Sequence, residues 1–189
     1  CWANQTKAKG RGSNFFFEVE SIYSYGGHFE VARLVQTEKG KTIALFDPTT
    51  YSQSTSQHQI HARQACYNLH DSFDVLSFPM RRTEAPTRAW FKEVFAYYHS
   101  LATASYCMAK RARKYTDMHL RDAEEATAKA RALKAHYPKA TKGLRIRTVS
   151  DAEIIRIETK AKAQAKRDRK ERAQKLKEHE AYMAEQEKR

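Results

Sequence analysis

Cysteine is scarce in this 189-residue chain: only Cys1, Cys66 and Cys107 occur. Widely spaced and odd in number, they exclude a disulfide framework and a zinc-ligand pattern, and a reducing cytosol is the simplest setting for them. No apolar run approaches the length of a membrane span, and the N-terminus has no signal-peptide core. Internal repeats are absent, and no spacing of catalytic residues names a reaction. The chain opens on Cys1, which reads as a trimmed or processed end, because the companion groups an N-terminal nucleophile needs are not visible. Leu, Ile, Val and Phe are scarce outside residues 14–101, so the sizeable core is expected there.

What is plentiful is positive charge, and it is unevenly placed. The net charge is +13. Residues 1–80 hold seven Lys/Arg and seven Asp/Glu, which cancel, so residues 81–189 carry the whole excess. A basic half of this kind attracts nucleic acid, an anionic membrane or an acidic protein.

Taken in order, residues 1–14 are polar and read as a mobile basic arm. From Phe15 the residues alternate, with Phe15, Phe17, Val19 and Tyr23 on one face of an expected strand and Glu18, Glu20 and Ser24 on the other. Gly26-Gly27 suits a two-residue hairpin turn. A second strand over about 28–36 and a third over 42–46 complete an antiparallel meander that ends at Asp47-Pro48. Ser56, three residues before Gln59, reads as a capping box that opens a helix over about 57–69, with Ile60, Ala65 and Leu69 facing inward. A fourth strand is expected over 73–78. The head therefore spans 15–80.

Residues 81–189 read as a long basic helical extension. Its first helix is expected over about 87–137, with a stripe at Phe91, Val94, Tyr98, Leu101 and Met108 and an alanine-rich second half. As one helix it would be roughly 75 Å long. Ser150-Asp151-Ala152-Glu153 is a second capping box, and it opens a helix over about 150–187. Ile154, Ile157 and Ala161 are expected to face Leu133, Ala130 and Ala126 as a hairpin. Beyond Ala165 the apolar seam fails. The fold class expected is α+β, a small antiparallel sheet with a packed helix followed by a long basic helical hairpin.

Two groups of residues are candidates for binding. Ser54, Thr55 and Ser56 stand at a helix N-terminus, where exposed N–H groups and the helix dipole suit an anion; His58 and Gln59 add donors, and Tyr23, Tyr25 and His28 approach from the sheet. The plainer reading is a helix cap beside a filled sheet face. Three imidazoles, His28, His58 and His61, suggest a transition metal, but no carboxylate or cysteine pair accompanies them, so solvent-facing or core histidines are expected and no metal or cofactor is. The second group is basic. Lys110, Arg111, Arg113 and Lys114 cluster at mid-helix, and Lys160, Lys162, Lys166, Arg167, Arg169, Lys170, Arg172, Lys175 and Lys177 form a run with only two acidic residues among them. Such runs neutralise phosphates and give salt-dependent, sequence-tolerant affinity; the alternative is a solvated helix.

The blocks Tyr23-Ser24-Tyr25-Gly26-x-His28-Phe29-x-x-Ala32 and Tyr51-Ser52-x-Ser54-Thr55-Ser56-x-His58-Gln59 resemble a motif of small uncharacterised bacteriophage and plasmid proteins. The resemblance covers about residues 15–70, and position 54 is Ser where that motif often has Thr. It implies a mobile-element origin and an intact folded head, and it assigns no activity; the expected location is the cytoplasm of a host bacterial cell. Three functions follow. The first is a non-enzymatic phage-type protein that binds DNA or RNA through its basic helices. The second is a protein-interaction module, a virion component or inhibitor of a host complex, with homo-oligomers through the Phe91–Leu101 face. The third is a small nucleotide- or nucleic-acid-processing enzyme at the Tyr25/His28/His58 locus.

Overall fold

A computed structural model of the chain describes residues 1–79 and 86–186. The fold is α+β, and among the described residues it has a six-stranded mixed sheet and four helices. Its strands are β1 (Lys9–Arg11), β2 (Phe15–Glu18), β3 (Ser21–Ser24), β4 (Glu30–Gln36), β5 (Thr42–Phe46) and β6 (Asp71–Asp74), and they lie in that order across the sheet. Its helices are α1 (Gln53–Cys66), α2 (Arg88–Arg111), α3 (Thr116–His136) and α4 (Asp151–Gln186). The expected head boundary near residue 80, and the expected last residue of the final helix at 187, lie outside the described residues.

The antiparallel meander is present through β5, but its start differs from the expectation. The single strand expected from Phe15 to Ser24 is a hairpin, β2–β3, that reverses at Val19 with a positive φ of 51°. The reversal sets Phe15 opposite Ser24 and Phe17 opposite Ile22, and paired residues share a face. Phe15 and Ser24 are thus on one face, and Tyr23, paired with Phe16, is on the other. The β3–β4 connection is longer than a two-residue turn: Tyr25 (φ 59°) and Gly26 (φ 136°) both adopt left-handed backbone in a loop closed by Ser24 N–H donating to Phe29 O.

The last strand is also shifted. β6 covers Asp71–Asp74 and pairs with β5 in parallel, with Phe73 opposite Leu45. Helix α1 carries the chain back to the starting end of β5, which makes a parallel neighbour the short route.

The N-terminal residues expected as a mobile arm belong to the sheet. Lys9–Arg11 pairs with β2, Trp2 and Ala3 are buried, and Trp2 Nε1 donates to Glu20 O at 2.8 Å. Gly10 is required by a close approach: a Cβ there would sit 2.2 Å from the Phe17 ring, which lies over it.

The sheet is covered on both faces. Trp2, Phe15, Phe17, Ile22, Ala32, Leu34, Ala44 and Phe46 pack with Ala62 and Cys66 of α1. On the opposite face Ile43, Leu45 and Phe73 share one core with Phe91, Val94, Tyr98 and Ala102 of α2 and with Ala123, Ala126, Ala130 and Leu133 of α3. Burial raises the Cys66 thiol to about 12, so it is an inert core group. The inward face of α1 is Thr55, Gln59, Ala62 and Cys66; Ile60, Ala65 and Leu69, expected inside, are exposed.

The single long helix expected over 87–137 is two helices. Helix α2 stops at Arg111, its next residue Ala112 is extended, and α3 starts after Tyr115, whose φ is 66°. No proline or glycine marks this break. Its cause is tertiary: only by folding back can the alanine stripe of α3, with Leu133 and Tyr137, be buried against α2. The Phe91 and Tyr137 rings meet at 5.0 Å, which places the start of α2 beside the end of α3. The Phe91–Tyr98 face is therefore occupied within the chain and is not free to form an oligomer; Leu101 and Met108, expected in the same stripe, are exposed.

Hydrogen bonds pin these helices to the sheet. Tyr98 Oη accepts from Asp74 N–H at 2.9 Å, and Trp90 Nε1 donates to Ser77 O at 2.7 Å. The Glu38 carboxylate accepts from the N–H groups of Lys139 and Ala140 at 2.7 and 2.8 Å. Asp71 accepts from Lys41 at 2.8 Å and contacts His136 at 3.0 Å, and the Lys41 hydrogen bond holds its carboxyl below the usual carboxylate range.

Candidate nucleic-acid interface

Helix α1 begins four residues earlier than expected, so its cap is Ser52 and not Ser56. Ser52 is extended (φ −156°) and its Oγ accepts from Thr55 N–H at 3.2 Å. The hydroxyl cluster is largely satisfied within this turn. Thr55 Oγ1 lies 3.1 Å from Ser52 Oγ, and Ser56 Oγ donates to Ser52 O at 3.1 Å. Thr55 is buried, whereas Ser54 is exposed. The Gln59 amide is buried and donates to Asp47 O and Thr49 O at 2.9 and 2.7 Å, fixing the loop that leads into the helix.

The structure brings His58 and Tyr25 together but not the full set expected from the sequence. The His58 ring stacks on Phe15 with centroids 4.6 Å apart and is tilted against Tyr25 at 5.7 Å. Its Nδ1 is 2.7 Å from Ser24 Oγ. Burial, and secondarily the nearby His61, lower the His58 pKa below its ordinary 6.5, which favours the neutral ring. With the ring proton on Nε2, the Ser24 hydroxyl donates to Nδ1. Tyr23 is on the other sheet face, its ring 5.2 Å from Phe16, and His28 is exposed in the β3–β4 loop.

A serine beside an unprotonated histidine is the start of a nucleophile and base pair. Here Ser24 is fully buried, out of reach of a substrate, so the pair ties α1 to β3. Phe15 and Ser24 were invisible as partners of His58 in the sequence because a single continuous strand sets Ser24 on the face away from Phe15. Among the described residues, no three His, Cys, Asp or Glu side chains gather as a metal site. No helix among them is long and apolar enough to cross a membrane.

The first basic cluster sits at a helix end. Lys110 and Arg111 occupy the last turn of α2, where cations complement exposed carbonyls, and Arg113 and Lys114 lie in the α2–α3 connection. Lys110 Nζ donates to Asp151 at 3.0 Å, so one member of this cluster is engaged at the root of α4.

The second cluster is the free length of α4. Ser150 caps the helix as expected, its Oγ accepting from Glu153 N–H at 3.3 Å. The root of the helix packs on α2: Ile154 is buried and Glu153 meets His99 at 3.0 Å. The hairpin expected between α4 and α3 is thus replaced by a short contact with α2. From Thr159 through His179 every residue is exposed. Lys160, Lys162, Lys166, Arg167, Arg169, Lys170, Arg172, Lys175 and Lys177 surround the helix, and of these Lys175 alone forms an ion pair within the described residues, with Glu171 at 2.7 Å. Asp168 and Glu178 accept from Gln164 and Gln174 one turn away. No family model, curated protein or solved structure matches this chain.

Proposed function

We propose that this chain is a non-enzymatic nucleic-acid-binding protein that grips phosphates with α4. The observation that carries the reading is the bare stretch 160–177, a helix exposed on all sides whose cations are almost all without carboxylate partners among the described residues. An apolar face would be needed to dock it on protein or to lay it in a membrane surface, and this stretch has none. One-signed charge distributed round a helix suits a surface that surrounds it with phosphates, such as a nucleic-acid groove or the space between strands. The sheet and helices α1–α3 then serve as the body that holds α4 by its root. The motif at Tyr23–Ala32 and Tyr51–Gln59 supports a mobile-element origin in a bacterial host.

The test is a fluorescence-anisotropy titration of duplex DNA and structured RNA with wild type and with a variant carrying Lys166→Gln, Arg167→Gln, Arg169→Gln and Lys170→Gln. The variant should bind unrelated sequences more weakly by similar factors. Equal affinity in wild type and variant would remove α4 from the interface.

A further inference from the structure

A second basic feature lies away from the α4 run, in a cleft between α2 and the segment that follows α3. The cavity is about 400 Å³ and is lined by Lys92, Phe95, Ala96 and His99 of α2 and by Leu144, Arg145 and Arg147. That volume falls in the range of small-ligand sites.

The chain builds this cleft in a definite way. Arg88 Nη1 donates to Lys142 O at 2.6 Å and Lys134 Nζ donates to Leu144 O at 2.6 Å, which anchors the segment where it leaves the body. It then runs along α2 until Asp151 meets Lys110. Leu144, Ile146 and Val149 pack into the core shared by sheet, α2 and α3. Arg145 and Arg147 stand on either side of Ile146, so their side chains leave the core that Leu144 and Ile146 enter. Both are exposed, opposite Lys92 of α2.

Three cations therefore border one cavity. No hydrogen bond or ion pair to another described residue engages the side chain of Lys92, Arg145 or Arg147, and no carboxylate lines the cleft. Like charges that border one cavity repel, and an anion between them removes the repulsion. The remaining wall is apolar, with buried Phe95 and Leu144 beside Ala96. His99 also borders the cavity; its Nε2 is engaged by Glu153, while its Nδ1 is buried without a hydrogen-bond partner. An unsatisfied buried nitrogen in a pocket wall is unusual in a purely structural position.

We propose that this cleft binds a phosphate monoester with a flat apolar body, the size and chemistry of a nucleoside monophosphate. The phosphate would lie between Arg145, Arg147 and Lys92, since the planar guanidinium fork matches phosphate oxygens in pairs. The base would lie along Phe95 and Leu144. The proposal does not depend on α4 gripping nucleic acid, because no residue of the 160–177 run lines the cleft. The same phosphate chemistry could arrive as a free nucleotide or as the phosphorylated end of a strand, and the ligands chosen below separate these.

The test is isothermal titration of the full chain with adenosine monophosphate, adenosine and inorganic phosphate, and with a short oligonucleotide with and without a 5′-phosphate. Wild type should bind adenosine monophosphate more tightly than adenosine, and Arg145→Gln/Arg147→Gln should lose about ten-fold or more of that affinity. Both arginines are exposed, so the double variant should keep the wild-type melting temperature, which is measured alongside. The four-site α4 variant should bind adenosine monophosphate like wild type. A preference for the phosphorylated oligonucleotide over the free nucleotide, lost in the double variant, would assign the cleft to strand ends while keeping the phosphomonoester chemistry. Two results overturn the proposal: adenosine and adenosine monophosphate bind alike, or the double variant binds the nucleotide as wild type does.

Discussion

Asp151, the first residue of α4, accepts a hydrogen bond from Lys110 Nζ, on the last turn of α2, at 3.0 Å. Two residues further on, Glu153 meets His99, and Ile154 is buried. Within this 36-residue helix the attachment lies in the first turns, and the charged surface from Thr159 through His179 faces solvent. This division between a packed root and an unpacked basic length underlies the proposed function.

It also predicts the outcome of truncation. A chain ending after Thr159 keeps the root contacts and, from 160 through 179, loses only exposed residues, so its cooperative thermal melt should lie within a few degrees of the full chain's. A chain ending at residue 110 loses the alanine stripe of α3 and Tyr137, which cover Phe91 and Val94, and should not give a cooperative melt. A folded 1–110 fragment would show that α3 is dispensable to the core.

Tyr98 offers a test of how α2 is pinned to the sheet. Its Oη accepts from the backbone N–H of Asp74, and burial together with the neighbouring Asp74 charge holds its phenol protonated far above the ordinary range. Tyr98→Phe keeps the ring and leaves the Asp74 N–H without that partner, at a cost of about 1–3 kcal/mol. Chemical denaturation of the variant measures this directly. An unchanged midpoint would mean that the Asp74 N–H finds another acceptor.

His58 makes stability depend on pH. Because burial lowers its pKa in the folded state, the unfolded chain takes up the proton more readily. The stabilisation is therefore complete above the ordinary value of 6.5 and is lost as pH falls through 6.5 toward the lower folded-state value. Urea midpoints between pH 8 and pH 5 should fall more steeply for wild type than for His58→Asn, which has no ring to protonate. Parallel curves would show that His58 is not the titrating group.

Much of the architecture was legible in the sequence, and the exceptions share a cause. Strand β5 was readable to the residue from Thr42 to Phe46, because an apolar run between Gly40 and Pro48 has clear ends. The Ser150 cap was equally plain, since the local motif and the final structure agree. The β2–β3 reversal was not, because it occurs at Val19 and Glu20, residues that usually continue a strand. The α2–α3 break was hidden for a similar reason: Ala112-Arg113-Lys114-Tyr115 has no helix-breaking residue, and only burial of the distant alanine stripe forces the turn. The cap at Ser52 lost to Ser56 because several hydroxyls compete in that stretch and only the depth of Thr55 decides between them. The basic run was evident from charge alone. The Lys92–Arg145–Arg147 cleft was not, since its lining is gathered by tertiary folding from residues about 50 positions apart in sequence.

The most direct measurement is the salt dependence of wild-type affinity for a short DNA duplex, followed by anisotropy across a range of potassium chloride concentrations. Each phosphate neutralised by α4 contributes about 0.9 to the slope of log affinity against log salt. Simultaneous contacts from the 160–177 run predict a slope of several, reduced in the variant with glutamine at 166, 167, 169 and 170 while its melting temperature is unchanged. Absence of binding to duplex DNA and to structured RNA at low salt, or a slope near zero, would contradict the account.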